Sequence, residues 1–127
     1  MTEKEYMIHQ LYNEISNLYD QFHDNDEKIE RLKKAESGIS NELGILVDHK
    51  TLVLNPELTP FTWHGKFADT FLDMRKSINH AYISIIQQTE DLLNDISKKI
   101  SELETMNASI SNTISSKRSQ LAHLKDN

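Results

Sequence analysis

The chain has 127 residues, 37% of them apolar, with four Phe, four Tyr and a single Trp, too little apolar material for a deep three-dimensional core. Twenty acidic residues outnumber fourteen Lys and Arg for a net charge of -6, which argues against nucleic acid or an anionic membrane as the main ligand. The lack of cysteine excludes a disulfide framework, a thiol nucleophile and a thiolate metal site.

The opening residues, "MTEKEYMIHQ", are charged and carry no apolar h-region. No window approaches the roughly 18 uninterrupted apolar residues of a membrane span, so neither a classical signal peptide nor a transmembrane helix is expected, and the chain reads as one made in the cytoplasm. Thr2 followed by Glu5 is a capping-box pattern that starts a helix within the first few residues. From Ile8 the apolar residues fall at Leu11, Ile15, Leu18, Phe22, Ile29, Leu32, Ile39, Leu43 and Leu46, a 3-4 spacing interrupted only by Asn25 and Glu36. This predicts a helix over about 3–46 with one apolar seam. Residues 47–62, "VDHKTLVLNPELTPFT", lose that period and hold both prolines, so they form a connector.

The period resumes at Phe67 and continues through Phe71, Met74, Ile78, Tyr82, Ile85, Leu92, Ile96, Ile100, Leu103, Ile110, Ile114, Leu121 and Leu124, with Thr89, Asn107 and Lys117 in the same register. It predicts a second helix over about 63–124, with four-residue steps at 74-78-82 and 92-96-100 acting as stutters. The expected fold is all-α: a single domain over 1–127 formed by a long antiparallel two-helix hairpin, coiled-coil-like, that assembles into a bundle with other chains.

The bend contains "TPFTWHGKFADTF", residues 59–71, with the only Trp. Thr62, or Thr59 with Pro60 behind it, can cap the second helix, and Trp63, Phe67 and Phe71 then share one face as an aromatic clamp. Gly65 would let the returning backbone approach closely. The plain alternative is that Trp63 and Gly65 only close the hairpin. If Leu46 faces Phe67, paired residue numbers total about 113, and the first helix ends opposite residue 111 or so. Ile114, Leu121 and Leu124 would then lack an intrachain partner and take one from another chain. A second apolar stripe, Tyr12 and Tyr19 on the first helix with Ile86, Leu93 and Ile100 on the second, widens the same partner interface.

Little in the chain points to catalysis. Six histidines at 9, 23, 49, 64, 80 and 123 include no H-E-x-x-H or other metal-ligand spacing. "DNDE" at 24–27 lacks the glycine and distal Glu of a calcium loop, and the serines from 109 to 119 have no glycine elbow and no base beside them. The pairs Lys98-Lys99 and Lys117-Arg118 have no interleaved aromatics for nucleic acid. The expectation is a non-enzymatic chain without metal or cofactor.

"FTWHGKFADTF" also carries a W-x-G-x-x-A-x-x-F arrangement, Trp63, Gly65, Ala68 and Phe71, between two predicted helices of a small acidic chain. In this it resembles the WXG superfamily of type VII secretion, and in its length, long second helix and extended connector it is most similar to the small helical proteins encoded beside LXG-domain toxins, the YwqH-like group. The resemblance covers the whole outline of helix, W-x-G bend and helix. It implies a partner and targeting factor for an LXG-type toxin, acting by helix-bundle assembly and offering Trp63 and Gly65 to the secretion machinery. It departs from some members in having no Tyr followed four residues later by Asp or Glu, so the resemblance implies an export signal supplied or shared by a partner. Other readings are a secreted WXG-type homodimer, by self-association, or a generic coiled-coil adaptor without a secretion role. On the first reading the chain is cytoplasmic, or leaves the cell together with its partner.

Overall fold

The computed structural model describes residues 2–57 and 64–126. The described residues form two long helices, α1 (Glu3–Lys50) and α2 (Lys66–Asp126), with a 3-10 turn at Thr51–Leu54 after α1. Both helices outrun the expected limits of 46 and 124 at their C-terminal ends, and α2 begins at Lys66 rather than 63.

The capping box at the start of α1 is formed as expected. The Glu5 amide donates to Thr2 Oγ1 at 3.1 Å, and the Thr2 amide donates back to Glu5 Oε2 at 2.9 Å. At the other end the chain tightens into the 3-10 turn, and the Asn55 amide closes it onto the Leu52 carbonyl at 3.2 Å. A cis bond joins Asn55 to Pro56. Gly65 precedes α2 with φ of 105°, the left-handed region that favours glycine, and its carbonyl accepts from the Asp69 amide at 3.0 Å. Among the described residues a Cβ placed on Gly65 would meet nothing within 4 Å, so there it is the backbone angle that calls for glycine. The expected caps Thr59 and Thr62 lie outside the described residues.

Apart from the flanking Glu14 and Tyr19, the less exposed positions of α1 and the 3-10 turn run 4, 8, 11, 15, 18, 22, 25, 29, 32, 36, 39, 43, 46, 50 and 53, alternating steps of four and three without a break. Asn25 and Glu36 are therefore seam positions with polar occupants. On α2 the same alternation runs from Arg75 through Asn79, Tyr82, Ile86, Thr89, Leu93, Ile96 and Ile100 to Leu124. The stutters expected at 74-78-82 and 92-96-100 are absent, because that reading crossed between two stripes one residue apart.

The chain divides into two compact units. Unit 1 pairs Met1–Lys34 with Ser97–Asn127. Its core is Leu11, Ile15, Ile114 and Leu121, with Ile8, Leu18, Tyr19, Ile110 and Leu124 packed against it, and Ile29, Ile100 and Leu103 are also buried. At its centre Asn25 and Asn107 are buried together. Asn25 Nδ2 donates to Asn107 Oδ1 at 3.0 Å, while Asn107 Nδ2 donates to the Phe22 carbonyl at 3.2 Å and to Asp26 Oδ1 at 3.0 Å. Lys117, another polar seam residue, donates to Glu14 Oε2 at 2.6 Å.

These contacts correct the expected register. Asn25 faces Asn107 and Glu14 faces Lys117, so paired numbers total 132 and 131 instead of about 113. α1 consequently covers α2 to its C-terminal end. Ile114 and Leu121, expected to lack an intrachain partner, are 6% and 9% exposed in the core of unit 1, and Leu124 packs beside them.

Unit 2 is Ala35–Ile96. Its helices are also antiparallel: Ile39 and Leu46 of α1 share a groove with Leu92 and Thr89 of α2, while Leu54 shares another with Asn79 and Lys76. Arg75 ties the chain beyond the 3-10 turn to α2, donating from Nη1 to the Pro56 carbonyl at 2.8 Å and from Nη2 to the Asn55 carbonyl at 3.1 Å. α1 and its 3-10 turn therefore end at the level of Lys76 and Asn79. The helix-length mismatch anticipated at the C-terminal end of α2 falls at its N-terminal end, where no helix among the described residues faces the first turns.

Candidate partner-docking face

The two units are buried to different degrees. Among the described residues, every buried one belongs to unit 1, with the single exception of Ala68 at 1% exposed. In unit 2 the seam residues Ile39, Leu43, Leu46, Tyr82, Ile86, Leu93 and Ile96 are only half-buried. Twelve of the sixteen exposed large apolar residues among those described are in unit 2, and none of the four in unit 1 is Leu, Ile or Val. A helical pair that leaves Leu and Ile at half exposure on several faces has the burial pattern of an element awaiting another helix.

The exposed residues of unit 2 are ordered. On α2, Met74 (61%), Ile78 (49%), Ile85 (49%) and Leu92 (48%) stand one position before the seam and form a second stripe. Ile83 at 47% is exposed on the opposite flank. From Ser77 to Thr89 the helix has no charged residue, so this stretch is apolar or neutral all round. On α1, Ile45 and Val47 are 48% and 44% exposed. A shallow groove of about 430 Å³ runs between the helices past Gly38, Glu42, Leu46 and Leu92. A Cβ built on Gly38 meets nothing within 4 Å among the described residues, leaving α1 bare on this side.

The structure redistributes the residues assigned to the partner interface. Ile86 and Leu93, placed on the outward stripe, are half-buried on the intrachain seam, and Ile100 is 7% exposed inside unit 1. The outward positions are their neighbours Ile85 and Leu92. Tyr12 and Tyr19 are engaged within unit 1: Lys125 Nζ donates to Tyr12 Oη and lies 4.7 Å from the ring centroid, and the Arg118 guanidinium sits 5.3 Å over the Tyr19 ring. Ile114, Leu121 and Leu124 serve the core of unit 1.

The expected aromatic clamp is not closed by the described residues. Phe67 is 85% exposed, and Phe71, 41% exposed, carries the Arg75 guanidinium 5.1 Å over its ring. Trp63 lies outside the described residues. Ala68, from the same motif, is buried. Asn79 Oδ1 is buried with no hydrogen-bond partner among the described residues.

Sequence reasoning missed Met74, Ile78, Ile85 and Leu92 as outward residues by assigning them to the intrachain seam. A usable signal existed. The strict alternation 100, 103, 107, 110, 114, 117, 121, 124, continued backwards, lands on 96, 93, 89, 86, 82 and 79, not on 92, 85 and 78.

Among the described residues no helix is long and apolar enough to cross a membrane, and no group of three or more His, Asp or Glu is placed to hold a metal. Comparison with curated proteins and with solved structures found no match. The family model described as YwqH-like matches residues 7–126, which takes in both helices, the connector and the exposed face of unit 2. The chain belongs to the YwqH-like family.

Proposed function

We propose that the chain is a non-enzymatic helical partner and targeting factor for an LXG-type toxin of a type VII secretion system, acting by helix-bundle assembly. The observation that carries this reading is the incomplete burial of unit 2. Two antiparallel helices leave a stripe of Met, Ile and Leu at about half exposure, and a further helix laid along it would cover surface worth about 25 cal/mol per Å². Membership in the YwqH-like family supports a helical partner role. The W-x-G of Trp63 and Gly65, similar to that of the WXG superfamily, is the second support, and on this reading it forms part of a composite surface that the secretion machinery reads. The chain then resides in the cytoplasm with its partner and leaves, if at all, as part of the complex.

The test is co-expression with an LXG-domain protein encoded beside it, followed by affinity capture and a secretion assay. The expected result is a stable complex whose formation survives Trp63→Ala while export falls. Failure of the LXG-domain protein to co-purify refutes the partnership. Loss of helicity together with binding in Trp63→Ala would make Trp63 part of the folding core.

A further inference from the structure

We infer that the outer stripe of unit 2 receives a helix from a different chain whose apolar seam is flanked by Lys or Arg, and that it does not receive a second copy of this protein. The inference rests on the partner role proposed above and adds the location, chemistry and sign of the contact.

Charge carries the argument. Residues 35–49 of α1 hold Glu36, Glu42 and Asp48, residues 77–97 of α2 hold Glu90, Asp91 and Asp95, and neither stretch contains a Lys or Arg. Unit 1 is different in kind, since Lys and Arg there meet acids across the helices, as in Lys117–Glu14 and Lys33–Glu104. The outer stripe thus has Ile78, Ile85 and Leu92 at its centre, with Glu42, Asp91 and Asp95 along its border and no Lys or Arg beside it beyond Lys76.

A second copy docking through the same face would set Glu42, Asp91 and Asp95 against their own counterparts, and like charges brought together at a desolvated contact oppose association. A helix with basic flanks meets the same border as a partner. Its apolar residues take the stripe, and its Lys or Arg side chains lie along the seam and reach Glu42 across the groove and Asp91 and Asp95 beside Leu92. Gly38 adds no side chain to the α1 side of the groove, which lets an incoming helix settle near the backbone there.

The experiment uses the full chain and two synthetic amphipathic helices that share one Leu/Ile heptad stripe, one flanked by Lys and the other by Glu. Fluorescence anisotropy is expected to show the Lys-flanked helix binding at least about tenfold more tightly, with affinity falling as salt rises. Ile85→Lys is expected to weaken this binding by about tenfold or more with an unchanged circular dichroism spectrum. The pair Glu42→Lys with Asp91→Lys, both at exposed positions, is expected to invert the preference between the two helices. Equal binding of the two helices overturns the inference, as does a chain that dimerises alone and becomes monomeric on Ile85→Lys. Capture of the LXG-domain protein is read separately. If Ile85→Lys leaves that capture intact, the placement of the face is wrong while the proposed function stands; if the Lys-flanked helix binds as expected and the wild-type chain captures no LXG-domain protein, the function falls and the face stands.

Discussion

Replacing Asn107 by Leu isolates what the buried amide pair contributes to unit 1. The substitution removes three hydrogen bonds at once, to Asn25, to the Phe22 carbonyl and to Asp26. Asp26 is exposed and returns to water, and the Phe22 carbonyl lies inside α1 with a helical amide to serve it, so both losses are small. Asn25 is 7% exposed, and its Nδ2 is left without an acceptor, which costs about 1–3 kcal/mol. The gain from burying a Leu side chain, about 1.5–2 kcal/mol at best, offsets most of this, so the expected net loss is at most about 1.5 kcal/mol. Asn25→Leu should behave alike, because it strands Asn107 Oδ1. With both positions Leu, no orphaned group remains and the seam is apolar, so the double variant should be at least as stable as the parent. The cycle should therefore show a favourable coupling of about 2 kcal/mol. Urea unfolding followed by circular dichroism measures all four proteins, and light scattering should show that the double variant, having lost the polar pair that specifies register, self-associates more readily. Single variants without effect, or a double variant as unstable as the sum of the singles, would refute the account.

Hydrogen exchange should find the amides of residues 112–124 protected along with the rest of unit 1, and those of residues 66–74, which no helix among the described residues faces, exchanging first; the reverse order would restore the shorter register. Gly38→Ala and Gly44→Ala should each raise stability by about 1 kcal/mol, since both lie inside α1 with open space around them, whereas Gly65→Ala should lower it by about 1–2 kcal/mol because of the 105° φ; thermal melts of the three variants check the opposite signs. Lys117→Leu removes a partly buried charge from the seam and leaves Glu14 to solvent, and should hold or raise stability by up to about 1 kcal/mol in the same assay.

α1 was legible almost residue by residue, because its apolar positions follow a single stripe and its two polar intruders, Asn25 and Glu36, keep step with it. α2 was legible as a helix but not as a face. At 78/79, 85/86 and 92/93 two stripes run side by side, and the more apolar of them belongs to the outside, against the usual association of apolarity with burial. The register escaped for a different reason. It was anchored on a tight bend at Leu46, whereas the chain continues through Lys50 and Leu54 before turning. Polar seam residues would have located it better, since a buried Asn on one helix requires a partner at its own level on the other, and Asn107 and Lys117 are the matches for Asn25 and Glu14. These two errors together turned Ile86, Leu93, Ile100, Ile114, Leu121 and Leu124 outward, whereas the first two lie on the intrachain seam and the others in or against the core of unit 1.

The pairing in unit 1 also fixes the order of events during synthesis. Arg75 reaches the Pro56 carbonyl across 19 residues of chain, but Asn25 waits 82 residues for Asn107, Glu14 waits 103 for Lys117 and Tyr12 waits 113 for Lys125. At about 5–20 residues per second a ribosome takes roughly 5–20 s to supply those partners. Throughout that interval the N-terminal half of α1 has emerged with Leu11, Ile15 and Ile29 uncovered, and an isolated helix of this kind is marginal in water. The turn-proximal contacts can close first and the distant ones last, so nascent chains stalled before residue 107 should present the Leu11 stripe to chaperones and proteases, while full-length chains conceal it.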